Sequence, residues 1–209
     1  MPDFLLCRGR DADDLAGRLR TRLARAGLDF TVLTEQPENC LLWRGGGANA
    51  KEGFWRQDDD NWILCSGLFG FRAASGPAAL ERFFAAFDPA VPCLAETIGQ
   101  FTLVLRKAGR LCLLGDALGT NKIYHDAGRR LFSNLFIAVA EGLESPSLDV
   151  QACYEYVWNG VPSGERSFFR EVRSLPPGRI NSEQILTKLH ADPDERAKFI
   201  EQNVPIGFF

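Results

Sequence analysis

Apolar and polar positions alternate in short runs along most of the chain, and this pattern predicts more strands than helices. The polar turn Asp58–Asn61 and the dipeptide Ala108–Gly109 each separate two such runs, so each predicts a β-hairpin. The predicted strands are Phe4–Cys7, Asp29–Thr34, Asn39–Arg44, Phe54–Gln57, Trp62–Phe71, Gln100–Lys107, Arg110–Asp116 and Arg129–Ser133.

Helical spacing is clearest near the N-terminus, where Leu15, Leu19 and Leu23 recur every four residues within Asp11–Ala26. Acidic residues open this segment and arginines follow, which suits the helix dipole, and the arginines are interpreted as a solvated helix face. Further helices are predicted at Pro77–Phe87, Asn134–Leu143 and Val150–Trp158, the last with Asp149 as its N-cap.

The order of these elements indicates an α+β fold, because many antiparallel strands are set apart from the helices and no βαβ repeat appears. Two sheets packed face to face and covered by helices would suit the pattern, although periodicity alone does not select that arrangement. The Leu175–Gly178 segment ends the regular pattern, and one or two short helices are predicted in the more polar tail.

Composition narrows the function classes. The chain has 209 residues, 45% of them hydrophobic and 16 of them Phe, which is enough for a sizeable core in one large domain or two small ones. A net charge of -3 argues against general nucleic-acid binding. No apolar run approaches the roughly 18 residues of a membrane span, and no signal-peptide layout is present, so we expect a cytoplasmic protein.

Cysteine and glycine patterns do not predict a metal or phosphate site. The six cysteines have no CxxC pair, and we expect buried, reduced thiols. Only His125 and His190 could add imidazole ligands, so zinc is not expected. Gly45–Gly47 lacks the Lys-Ser/Thr pair of a phosphate loop, and no cofactor is expected in this chain.

The segment from Gly99 to Gly178 carries a resemblance to a known family. It contains, in order, GQFTLVLRKAGRLCLLGDALGTNKIYH, RRLFSNLFIAVAEGL and ERSFFREVRSLPPG. These blocks resemble the glutaminase domain of asparagine synthetase and its relatives, a class II glutamine amidotransferase. The resemblance implies a four-layer αββα sandwich of the N-terminal-nucleophile hydrolase type over residues 1–180. Residues 181–209 would then be a helical tail or the start of a missing synthetase domain.

The family's catalytic group is absent from its usual place. In the family a Cys directly after the initiator Met attacks glutamine, and its own α-amine acts as base. Here Pro2 follows Met1. Cys7 is a poor substitute because its apolar strand precedes it, whereas the family's strand follows the nucleophile. A hydrolase that uses the Pro2 amine as base remains an enzymatic alternative.

The family's glutamine-binding motifs are also degraded. Its Asn-Gly-Glu segment supplies an oxyanion donor and an acid, and the resembling stretch here is Ser66-Gly67-Leu68, which keeps only the glycine. A second acidic segment corresponds to Ser75–Ala78 and has lost its acid. Arg44 occupies a position that could match the family's carboxylate-binding Arg, or it is a surface arginine on a strand.

These features predict a catalytically silent amidotransferase-like domain, as in relatives such as β-lactam synthetases and lasso-peptide cyclases. The expected partner is an ATP-dependent synthetase domain or subunit, whose Ser-Gly-Gly-x-Asp-Ser loop this chain does not contain. The resemblance places a docking face at Asp116, Lys122 and Tyr124. A residual glutamine hydrolase supplying ammonia for asparagine synthesis, a binder of small molecules or peptides, and a homodimer remain alternatives.

Overall fold

The structure is a computed structural model that describes residues 2–36, 38–45, 53–88, 94–178 and 180–182. Within these residues the chain forms a mixed α+β fold with two antiparallel sheets. The first sheet has the strand order β11-β9-β10-β1-β3-β2. Its strands are β1 (Asp3–Arg8), β2 (Thr31–Gln36), β3 (Asn39–Arg44), β9 (Tyr124–Asp126), β10 (Leu131–Ser133) and β11 (Val172–Ser174).

The second sheet has the order β12-β8-β7-β5-β4, and a short strand, β6, also pairs with β5. Both predicted hairpins are confirmed here, since β4 pairs with β5 and β7 pairs with β8. The strands of this sheet are β4 (Phe54–Arg56), β5 (Trp62–Phe71), β6 (Ala74–Ser75), β7 (Thr97–Lys107), β8 (Arg110–Gly115) and β12 (Ile180–Ser182).

Four α-helices lie among the described residues: α1 (Ala12–Arg25), α2 (Gly76–Ala86), α3 (Phe136–Ala140) and α4 (Val150–Asn159). The leucine spacing that predicted α1 corresponds to its buried face, where Leu19 and Leu23 are at most 1% exposed. The predicted cap of α4 is confirmed, because the Asp149 side chain accepts a hydrogen bond from the Ala152 N–H over 3.1 Å. None of the described helices is long and apolar enough to cross a membrane.

The core consists of three clusters of buried residues, which pack against different faces of the two sheets. One joins α1 to the first sheet through residues such as Leu5 and Leu19. A second joins α2 to the second sheet through residues such as Phe83 and Leu103. The third contains alternate residues of both sheets, including Phe4, Leu6, Trp62, Val104 and Phe132. The alternation of strand side chains places this third cluster between the sheets, which is compatible with a sandwich.

Several predicted boundaries differ from the structure. The helix predicted at Asn134–Leu143 is reduced to α3, because Asn134 lies in a bend after β10, where its side chain accepts a hydrogen bond from the N–H of Phe4. The strand predicted at Asp29–Thr34 begins two residues later, since the chain is still closing α1 at Leu28, whose N–H bonds the Leu23 carbonyl.

The predicted boundary after residue 180 falls inside β12, which pairs with β8. The predicted tail helices and Cys93 lie outside the described residues. Of the other cysteines, Cys7, Cys40, Cys65 and Cys112 are buried as predicted, whereas Cys153 is only partly buried. None of these five lies in a disulfide.

Candidate functional site

A cavity of about 610 Å³ lies where Pro2 meets the centre of β5 and the start of α2. Residues that are far apart in the sequence meet here, because β5 pairs with β7 and α2 follows directly after β6. We call this space the Pro2 cavity. Its lining residues are Pro2, Gly53, Cys65, Gly67, Leu68, Phe69, Gly70, Ala73, Ala74, Ser75, Gly76, Leu80, Ile98 and Gly99.

Pro2 is fixed at this cavity by two side-chain donors that share its backbone carbonyl. The Ser66 hydroxyl donates to the Pro2 oxygen over 2.5 Å, and Asn134 Nδ2 approaches the same oxygen at 3.2 Å. Ser66 is 1% exposed, so water does not compete with its hydrogen bond. The hydroxyl proton of Ser66 is therefore committed to the main chain rather than to a ligand.

Asn134 ties the N-terminal segment to both sheets. Its Oδ1 accepts from the Phe4 N–H over 2.8 Å, and its Nδ2 lies 3.0 Å from Ser66 Oγ and 3.2 Å from Asp3 Oδ1. The sequence placed Asn134 only at the start of a predicted helix. Its role depends on β10 lying beside β1, which the strand pattern alone does not reveal.

Arg44 does not line the Pro2 cavity in the described residues. Its Nε donates to Asp3 Oδ2 over 2.9 Å, and Nη2 contacts the same oxygen. Asp3 and Arg44 are direct cross-strand partners on β1 and β3, and Asp3 is 7% exposed. A buried carboxylate needs this pairing, so the guanidinium is held by the protein's own acid.

The two glycines of the resembling motifs are explained by the backbone. A Cβ on Gly67 would lie 2.1 Å from the Gln100 carbonyl oxygen, and one on Gly99 would lie 2.1 Å from that of Leu68. Both residues also have φ above +110°. The close approach of β5 and β7 beside the cavity therefore requires glycine at both positions.

The described lining of the Pro2 cavity carries no charged side chain. Its one thiol, on Cys65, is buried, and burial raises the pKa of this thiol to about 12. A thiol of that pKa is almost entirely protonated at neutral pH and is a poor nucleophile. Leu68, in the Ser66-Gly67-Leu68 segment that carries the resemblance, is 78% exposed and offers only a hydrocarbon surface.

The wall of the cavity includes a strained turn. Arg72 and Ala73 connect β5 to β6 with φ of 46° and 62°, a conformation that favours Asn and Gly. The turn is held from outside by Arg72, whose Nε and Nη2 donate to the Glu96 carboxylate over 2.5 and 2.7 Å. The guanidinium also lies over the Phe71 ring at 4.9 Å.

The three residues expected at a docking face lie in different environments. Asp116 is 2% exposed, and its carboxylate accepts three backbone N–H groups, each at 3.0 Å, from Leu118, Thr120 and Asn121. Tyr124 is half-buried and packs on the Phe136 ring at 5.5 Å, and burial raises its pKa. Both residues hold the loop in shape from within.

Lys122 lines a second cavity of about 660 Å³ between its own loop and the segments 161–165 and 174–177. Leu118 and Val161 also line this cavity and are 86% and 55% exposed. Pro176 and Pro177 complete an apolar side. This part of the surface, defined by Leu118, Lys122, Val161, Pro176 and Pro177, is called the loop surface below.

A small cluster of potential metal ligands was not detected from the sequence. Asp13, Glu35 and Cys40 place ligand atoms within 4.8 Å of one another. Burial and the nearby Asp13 carboxylate raise the pKa of the Cys40 thiol to about 11. Thiols bind metals as thiolates, so two exposed carboxylates and this thiol do not form a built metal site.

Comparison of the chain with known protein families and with curated proteins finds no match.

Proposed function

We propose that this chain is a catalytically silent glutamine amidotransferase-like domain with the αββα sandwich of the N-terminal-nucleophile hydrolases. In this proposal it acts as a scaffold or docking partner for an ATP-dependent synthetase that forms amide bonds. The ordered sequence blocks between Gly99 and Gly178 support the family, and two antiparallel sheets with helices on their outer faces are compatible with its fold.

One observation carries the proposal. Two segments resemble the family's glutamine-binding motifs, and residues of both line one cavity together with Pro2, the residue at the position of the nucleophile. The residues from these segments are Gly67, Leu68, Ser75 and Gly76. Pro2 and Ser75 are 73 positions apart in the sequence, so chance resemblance of single segments does not explain their meeting. The cavity thus corresponds to a glutamine pocket in position while differing from it in chemistry.

The chemical differences between this cavity and a glutamine pocket support the proposal that the domain does not hydrolyse glutamine. Acyl transfer requires a nucleophile, a base and an oxyanion donor in one place. Pro2 offers no side-chain nucleophile, the Ser66 hydroxyl is bound to the Pro2 carbonyl, and Leu68 cannot bind an ammonium group. Loss of one oxyanion donor alone lowers kcat by about 100-fold or more. A residual glutamine hydrolase is therefore the less supported alternative.

The loop surface supports the docking part of the proposal. Leu118 and Val161 expose apolar side chains beside Lys122, and exposed apolar patches commonly mark protein contacts. In the family this end of the domain faces the synthetase half. A homodimer through the same surface is the competing arrangement. Sedimentation velocity of the purified chain separates the two, because the proposal expects a monomer at all concentrations.

Calorimetric titration with L-glutamine tests whether the Pro2 cavity has lost the ability to bind glutamine. The proposal expects no saturable heat, because neither the ammonium nor the carboxylate of glutamine has a charged partner in the described lining. Saturable binding of glutamine in the micromolar range would contradict it.

A further inference from the structure

The lining of the Pro2 cavity has a consequence for what the cavity binds. We infer that it binds a neutral, mainly aliphatic small molecule. This inference rests on the proposed function, because it concerns the same pocket after glutamine chemistry has been lost. Its volume of about 610 Å³ is within the range typical of small-molecule sites.

The lining selects against charge. None of its described members is charged, and the nearby ions Asp3 and Arg44 neutralise each other at 2.9 Å. A charged group placed in this cavity would lose hydration without gaining a charged partner among the described lining residues. Aliphatic groups gain free energy on transfer from water in proportion to the apolar surface that becomes buried.

Two aliphatic side chains that line the cavity are largely exposed to solvent and could be buried by an aliphatic ligand. Leu68 is 78% exposed and Ile98 is 69% exposed, although both line the cavity. They lie on one face of the sheet, because Leu68 pairs with Gln100 on β7 and Ile98 pairs with Gly70 on β5, two positions along. A chain-like ligand laid between them would bury both side chains at once.

The cavity is also kept open by its backbone. Gly76 has no atom within 4 Å of the place where its Cβ would stand, so the start of α2 leaves free space there. Ala73 forms part of the opposite wall in the strained turn with φ of 62°. Strained backbone is maintained only when surrounding structure holds it, and such positions concentrate at binding sites. Here the Arg72–Glu96 ion pair supplies that hold.

Methyl-detected NMR of the purified chain tests the inference with three probes of equal chain length: 1-octanol, octanoate and octylammonium. The expected result is saturable shifts at the methyl groups of Leu68, Ile98 and Leu80 with 1-octanol. Octanoate and octylammonium should bind at least about tenfold more weakly, since each brings an unpartnered charge. The methyl groups of Val157, which is 79% exposed on α4 and lines neither cavity, should not shift.

Paired variants give an independent readout. Leu68→Glu places a carboxylate at the cavity and should weaken 1-octanol binding by about tenfold or more. Val157→Glu introduces the same carboxylate at a residue of α4 that is 79% exposed and lines neither cavity, and it should leave the affinity unchanged. Both positions are exposed, so both variants are expected to fold, and the three probes on the unmodified chain test the inference without any variant.

The inference is overturned if 1-octanol shows no saturable binding, if all three probes bind equally, or if the Val157 methyl groups shift with those of Leu68. These outcomes leave the proposed silence toward glutamine standing, because they do not concern glutamine. Conversely, glutamine turnover would contradict the proposed function whatever the alcohol does. The two ideas therefore fail separately.

Discussion

The Ser66 hydroxyl donates to the carbonyl oxygen of Pro2 over 2.5 Å, and this bond joins the second residue of the chain to the middle of β5. Ser66 also accepts from Asn134 Nδ2 at 3.0 Å, so its donor and one of its acceptor sites are occupied within the protein. In the proposed function, an N-terminal nucleophile and an oxyanion donor would lie where this internal hydrogen-bond network lies. In the proposed function this network prevents glutamine hydrolysis, and it also holds Pro2 in place at the cavity.

Replacement of Ser66 by Ala is expected to lower the free energy of unfolding by about 1–2 kcal/mol, because the partly buried Pro2 carbonyl loses its shorter hydrogen bond. Urea unfolding measures the change. Ser75→Ala is the matched control, since Ser75 is exposed and its side chain makes no capping hydrogen bond to α2. Its effect should stay within about 0.5 kcal/mol. Equal losses in the two variants would count against the network.

Replacement of Asp116 by Ala should release the loop that carries Lys122. The variant leaves three backbone N–H groups without their acceptor, and we expect a loss of about 2–3 kcal/mol. Hydrogen exchange at Leu118, Thr120 and Asn121 should accelerate more than exchange in β7. Glu144→Ala, at an exposed position, should change neither quantity. Unchanged protection of those three amides in the Asp116 variant would contradict this role.

Replacement of Ala73 by Gly should raise stability by about 0.5 kcal/mol, because relief of the positive φ exceeds the added entropy of the unfolded chain. Ala85→Gly provides the opposite case, since Ala85 lies in α2, where glycine costs about 1 kcal/mol. Thermal unfolding of both variants measures the difference. A loss of similar size at the two positions would show that the turn is not strained.

Stability should fall as the pH decreases from about 7.5 to 5.5, because burial lowers the pKa of His125 below its ordinary value of 6.5. The unfolded chain then takes up a proton that the folded chain excludes. The contribution is fully present above about pH 6.5 and is lost as the pH falls toward the lower folded pKa. In His125→Gln the urea midpoint should vary less over this interval. An unchanged slope in that variant would assign the pH dependence to other groups.

Much of the fold followed from local patterns in the sequence. The apolar strands β5, β7 and β8, the leucine spacing of α1 and the Asp149 cap were all predicted, because neighbouring residues determine each of them. However, β7 begins at Thr97 and not at the predicted Gln100. The short strands β9 and β11 were missed, since three residues give too little alternation to recognise.

The site was less predictable because its contacts depend on the order of strands in the sheets. Asp3 and Arg44 meet only because β1 pairs with β3, and Asn134 reaches Pro2 only because β10 pairs with β1. The sequence identified Ser66 and Gly67 through a resemblance, but it did not indicate that the Ser66 hydroxyl binds the Pro2 carbonyl. Long-range hydrogen bonds of this kind leave no periodic pattern.

The central claim is that the pocket cannot turn over glutamine, and ammonia release measured side by side for the unmodified chain and the Pro2→Cys variant tests it most directly. Cysteine at position 2 restores only the nucleophile, whereas Ser66 and Leu68 still lack the amide donor and the acid. The account predicts that both proteins release ammonia from L-glutamine no faster than a heat-denatured sample. Ammonia release that saturates with glutamine in either protein would contradict it.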